Sequence, residues 1–183
     1  MRIFIALELP EKEYEEIARK KSKIQNLLSD DINWVKNENL HMTSVFLGNI
    51  DKRALEKLNK ILKFLSQRFK TFTLKNPEIE IFPFKSPKLI WIRFKEEDNE
   101  LYKFTRVLKE LLISNGFKID NNDFIPHITL GRVKSRISNS TRKIIDKEVI
   151  KITKTELKKV TIFHSLLQKE GPVYKRLSVF EMN

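Results

Sequence analysis

The sequence predicts an α+β fold of two pseudosymmetric lobes, with antiparallel sheets meeting at a central cleft and helices on the outside. Three observations carry this. Segments of strand-like character alternate with segments of helical apolar spacing along the 183 residues. A strand–helix–strand order occurs twice, and its landmarks His41 and His127 lie 86 residues apart, as an internal duplication predicts. Only 4 Gly and 6 Pro punctuate the chain, so long regular elements are expected.

The elements follow in order. Residues 2–9 (RIFIALEL) are strand-like, and Pro10 then opens a helix to about residue 29 with Tyr14, Ile17, Ala18, Ile24, Leu27 and Leu28 at roughly helical spacing. A short strand at residues 33–36 leads to a second, HMTSVFLG, closed by Gly48. Asp51 suits an N-cap, because its carboxylate can accept from a free first-turn amide. The helix after it puts Leu55, Leu58, Ile61, Leu62, Leu65 and Phe69 on one face. Strands near residues 71–74 and 78–82 are separated by Pro77.

The second round opens with strand 89–94 (LIWIRF) and a helix over residues 99–114, which Asn115-Gly116 closes as a C-cap does. The strand HITLGRV, a short helix near residues 139–147 and strands near 149–153, 157–166 and 173–180 complete it. The duplication divides the chain at approximately 1–86 and 87–183. Late strands can cross between such halves, so the whole chain is expected to be one bilobal domain.

Composition narrows the function classes. At 40% hydrophobic and 33% charged residues the chain is globular rather than disordered. With no cysteine, disulfides and thiolate metal sites are excluded. The N-terminus lacks the apolar core and cleavage site of a signal peptide, and no stretch approaches the ~20 apolar residues of a membrane span. A soluble, cytoplasmic protein is the expectation, with a monomer as the default. The net charge of +12 attracts polyanions, nucleic acid foremost, although a lysine-rich solvated surface gives the same number.

Two of the three histidines head His41-Met42-Thr43-Ser44 and His127-Ile128-Thr129-Leu130. In a strand, residues i and i+2 share a face, so each segment presents an imidazole and a hydroxyl side by side. If the halves are pseudosymmetric, the two pairs converge on one pocket. Phosphodiester hydrolysis uses such a set: a neutral imidazole takes a proton from water, and a protonated one donates to the leaving oxygen. The hydroxyls donate to non-bridging phosphate oxygens, and the scheme calls for no metal or other cofactor. A lone histidine in a strand is more often a satisfied polar residue; the repetition is what favours catalysis.

These motifs, with RIFIALELP, IFPFKSPKLIWIRF, NGF, PHITLGRV and GPVYKRLSVF in order along nearly the whole chain, resemble the two-histidine phosphoesterases, in particular their RNA 2′,3′-cyclic phosphodiesterase (2′-5′ RNA ligase-like) branch. The resemblance implies an enzyme acting on RNA with a 2′,3′-cyclic phosphate terminus. It makes His41 the proton donor to the leaving 3′ oxygen, His127 the proton acceptor, and Thr43 and Thr129 the phosphate holders. It also implies a phosphate contact by Arg132. By strand parity Arg132 points away from His127 and Thr129, unless a bulge at Gly131 re-aims it. Ser44 stands where such motifs carry an apolar residue, which leaves a hydroxyl in need of a partner.

The remaining candidates divide simply. His164 lacks a following threonine and is read as structural, and no histidine or carboxylate spacing supports zinc. Phe82 and Trp91 are expected in the core, whereas Phe84, in a proline-flanked loop, is the base-stacking candidate. Tyr174 is read as structural. Two rivals stay open at this point: 2′-5′ RNA ligation by the reverse chemistry, and a non-catalytic RNA-binding module.

Overall fold

A computed structural model describes residues 1–120, 122–169 and 171–183. It contains two antiparallel sheets and four α-helices. The strands are β1 (Arg2–Glu8), β2 (Ile32–Trp34), β3 (Met42–Asn49), β4 (Phe72–Phe82), β5 (Leu89–Glu96), β6 (His127–Val133), β7 (Lys154–Leu157), β8 (Lys159–Gln168) and β9 (Gly171–Glu181). The helices are α1 (Glu11–Leu27), α2 (Lys52–Ser66), α3 (Glu100–Ser114) and α4 (Asn139–Ile145). One sheet has the order β3-β1-β8-β9 and the other β2-β6-β5-β4-β7. Each sheet therefore draws strands from both sides of residue 86.

Alternation along the central strands gives each sheet two faces. Ile3, Ile5 and Leu7 of β1, with Ile90, Ile92 and Phe94 of β5, enter the main core beside Leu58, Leu62 and Leu65 of α2 and Phe104 and Leu108 of α3. Phe4 and Ala6 point the other way, into a small cluster with Phe163 and Tyr174. Sealing the first face frees the second to carry functional groups.

Local chemistry sets the helix ends. The Asp51 carboxylate accepts from Ala54 N at 2.7 Å and caps α2. Ser138 does the same for α4 through Thr141 N at 3.1 Å. Gly116 closes α3 at φ +84°, a conformation cheap only for glycine.

Two elements differ from the sequence expectation. Residues 72–82 form one strand rather than two: Asn76 takes φ 47° and the β4–β5 register slips between Lys75 and Glu78, so Pro77 makes a bulge and not a break. Residues 149–153 are not a strand. Ile150 and Ile152 are buried and their neighbours exposed, which imitates a half-buried strand, but pairing with β4 begins only at Lys154.

Candidate functional site

The two His-x-Thr segments open onto one cavity of about 600 Å³, lined by His41, Thr43, His127, Thr129 and Arg132. Thr43 sits on β3 opposite Ala6 of β1, and Thr129 on β6 opposite Trp91 of β5. Each histidine lies at or just before its strand's first residue.

Both rings are held by the same device. His41 Nδ1 lies 2.6 Å from Asn39 O, and His127 Nδ1 lies 2.8 Å from Ile125 O. A carbonyl can only accept, so each Nδ1 carries the proton and donates it. Each Nε2 is left as the exchanging atom, a lone pair when the ring is neutral and a donor when it is charged.

The rings rest on aromatic floors. Phe4 lies 4.9 Å below His41, between centroids, and stacks in turn on Phe163 at 5.2 Å. Trp91, only 3% exposed, lies 4.5 Å from His127 and stacks on Phe82 at 4.1 Å. Ion pairs lock both floors. Arg176 forks onto Glu8 at 2.9 and 2.8 Å, with Thr161 Oγ1 donating to the same carboxylate at 2.6 Å. On the other side Trp91 Nε1 and Arg93 both donate to Glu80. Burial pushes the Glu8 and Glu80 carboxyls up, but these donors outweigh it and hold both below the usual carboxylate range.

Burial also governs the histidines. It pushes His41 below the ordinary imidazole value; the Asn39 carbonyl opposes this and the facing His127 adds to it. His127 is pushed down by burial and again by the Arg132 guanidinium, with the Ile125 carbonyl opposing.

Arg132 reaches this cavity through a bulge. Trp91 pairs with Thr129 but Ile90 pairs with Gly131, so Leu130 is the extra residue. Leu130 and Gly131 are both buried, alternation is reset, and Arg132 emerges on the face of His127 and Thr129. Glycine is required there because side chains of the neighbouring strand β2 close over it: a Cβ would come 2.6 Å from Ile32 Cγ2 and 3.1 Å from Trp34 Cε3. In β3 the register slips in the same way, with Ala6 opposite Thr43 and Ile5 opposite Val45, so Ser44 is the extra residue. Its hydroxyl meets Thr105 Oγ1 of α3 at 3.3 Å, the partner it needs. The reset then presents Phe46, 58% exposed, at the position that Arg132 holds on β6.

Other candidates fall elsewhere. Phe84 does not line the cavity. It stands in the β4–β5 loop with the Arg142 guanidinium 4.8 Å from its ring centre. His164, on β8 opposite Ile3, does not line it either. Phe82 is partly exposed rather than a core residue. Among the described residues, no group of three or more His, Cys, Asp or Glu is gathered as a metal would require, and no helix is long and apolar enough to cross a membrane.

Three further lining residues bear on the site and were not placed there by sequence reasoning. Tyr174 meets His41 edge-on at 5.2 Å between centroids. Its hydroxyl is pushed up by burial, so it stays protonated. Asn39 is buried, and its side chain donates to Pro172 O at 2.7 Å, tying the β8–β9 hairpin end to the residue that holds His41. Phe46 could have been found from the sequence, since Thr43-x-x-Phe46 and Thr129-x-x-Arg132 share one spacing.

Comparison with known proteins agrees along the full chain. The profile of the family described as LigT like Phosphoesterase matches residues 7–91 and 94–174. A protein of Archaeoglobus fulgidus named RNA 2′,3′-cyclic phosphodiesterase is 32% identical, covering 99% of this chain and 100% of its own. One of the same name from Methanocaldococcus jannaschii is 32% identical, covering 96% and 97%. Among solved structures, a Thermus thermophilus protein superposes with TM-score 0.84 at 22% identity, covering 100% of this chain and 98% of its own. The Escherichia coli LigT complexed with 3′-AMP superposes at 0.78 and 21%, covering 99% and 97%.

Proposed function

Because the chain belongs to the LigT-like phosphoesterase family, we propose that it hydrolyses RNA 2′,3′-cyclic phosphate ends to 2′-phosphomonoesters. The observation that carries this reading is the convergence of two imidazole–hydroxyl pairs and one guanidinium on a single cavity. Each imidazole has its Nδ1 committed to a backbone carbonyl, so only Nε2 exchanges protons.

His127 Nε2 takes a proton from water as the water oxygen attacks phosphorus. The P–O3′ bond breaks, and His41 Nε2 gives its proton to O3′. One water is consumed, and the pair resets by exchanging one proton with solvent. Unequal surroundings support this direction. The fixed charge of Arg132 opposes an imidazolium at His127, whereas the ionisable group acting against His41 is His127 itself.

Thr43 and Thr129 donate to non-bridging oxygens, and Arg132 offsets the negative charge that builds on the phosphoryl group in the transition state. Phe46 offers an apolar wall to the nucleoside. The residues that do this chemistry are all protein side chains. The test is turnover of an oligoribonucleotide ending in 2′,3′-cyclic phosphate, with end-group identification. A 2′-phosphate product supports the reading; a 3′-phosphate product or no turnover overturns it.

A further inference from the structure

The cavity's two ends differ in charge. At the start of β6, the preceding loop brings Asp120 and Asp123 to the lining, with Lys109 of α3 donating to Asn122 O beside them. At its far end Arg132 pairs with Leu89, and Val133 N donates to Lys88 O at 2.9 Å, which joins the β4–β5 loop to the chain leaving β6. These two segments, residues 83–89 (PFKSPKL) and 132–143 (RVKSRISNSTRK), carry seven lysines and arginines and no carboxylate. Lys134 is drawn to Asp31 at 3.4 Å, and the others make no ion pair among the described residues.

Phe84 stands in this basic ground and is 74% exposed. Burial does not account for such a ring. It is nonetheless held: Arg142 of α4 donates from Nη2 to Phe84 O at 3.1 Å and lays its guanidinium carbon 4.8 Å from the ring centre. That leaves the other face of the ring open. A rigid aromatic face among cations is the arrangement that stacks a base of single-stranded nucleic acid while neighbouring charges follow its phosphates. The chain from Phe84 to Leu89 spans at most about 17 Å, so the platform lies within a few nucleotides of the cavity.

We propose that the β4–β5 loop and the segment following β6 form a second subsite for single-stranded RNA. There the Phe84 ring, backed by Arg142, stacks a base upstream of the reacting end, and Lys88 and Arg136 accompany the backbone. The inference rests on the proposed activity for its orientation: the strand enters the cavity past Arg132 with its 3′ end first.

The test compares 2′,3′-cyclic AMP with a short oligoribonucleotide ending in 2′,3′-cyclic phosphate. Phe84→Ala is expected to raise KM for the oligonucleotide by roughly tenfold, the scale of one lost base–aromatic stack. It should leave kcat/KM for the mononucleotide unchanged, and Phe84→Trp should keep the oligonucleotide preference. Equal values for wild type and Phe84→Ala on the oligonucleotide, or an equal fall on both substrates, overturn the subsite. If wild type turns over neither substrate, the proposed activity fails by itself. Fluorescence anisotropy of a labelled oligoribonucleotide ending in a 2′-phosphate then decides the subsite: weakened binding by Phe84→Ala supports it, and unchanged binding rejects it.

Discussion

On β3 the bulge after the threonine delivers Phe46 to the cavity, and on β6 the same bulge delivers Arg132. A histidine stands at or just before the start of each strand, its Nδ1 tied to the carbonyl two residues back and its ring set on an aromatic floor. The backbone is thus repeated while the side chains divide the labour. One half supplies the Arg132 cation, whose charge disfavours an imidazolium at His127, and the other supplies the exposed Phe46 ring. A symmetric pair of histidines has no preferred direction of proton flow, and in the proposed mechanism the Phe46/Arg132 difference at matched positions supplies one.

The most damaging challenge to this comparison is removal of either ring. His41→Ala and His127→Ala should each lower kcat by about 10²–10⁴-fold with an unchanged circular dichroism spectrum, the usual worth of one general acid or base. Full activity in either variant would end the idea that the halves work as a pair.

Next come the re-aimed residues. Arg132→Ala should cost roughly 1.5–3 kcal/mol in kcat/KM, the range for a hydrogen bond to a charged group. Phe46→Ala should act chiefly on KM, by about 1 kcal/mol, if it walls a base. Steady-state kinetics separate the two, and identical kcat and KM effects would erase the distinction drawn between the half-sites.

Gly131→Ala tests why the two bulges differ in sequence. Its Cβ meets Ile32 and Trp34 of β2, so the variant should lose about 1–3 kcal/mol of stability by overpacking, read as a lower Tm. Val45, at the matching place on β3, already carries a side chain.

The finest test is pH. The acid limb of kcat/KM reports protonation of the base in the free enzyme and should lie below the ordinary imidazole value near ~6.5, since burial and then Arg132 push His127 down. Arg132→Gln removes a positive charge, stabilises the imidazolium and moves that limb to higher pH. A limb that stays in place would argue that His41 is the base.

Much of this site was legible in the sequence because it is written in short-range pattern. His41, Thr43, His127 and Thr129 follow from strand parity, and the Asp51 cap from local hydrogen bonding. The rest depends on neighbours distant in the chain. A bulge is a mismatch between two strands, so Leu130 and Ser44 look ordinary until β5 and β1 are laid beside them. Tyr174 gains its place only because β9 follows β8 onto the sheet of β1. Residues 149–153 mislead in the opposite sense, since alternation records burial and not the presence of a partner strand.

The pairing of β1 with β8 joins Ile3 to His164, almost the full length of the chain. During synthesis β1 emerges early, but its partner β8 and the Phe163 and Tyr174 rings that surround His41 emerge only after α4 and β7. Contacts of such high sequence separation slow folding, because loop closure must come before they can form. A nascent chain ending before β8 has its His41 strand and the Phe4 ring beneath it, but lacks the Phe163 and Tyr174 rings that complete the surroundings of His41.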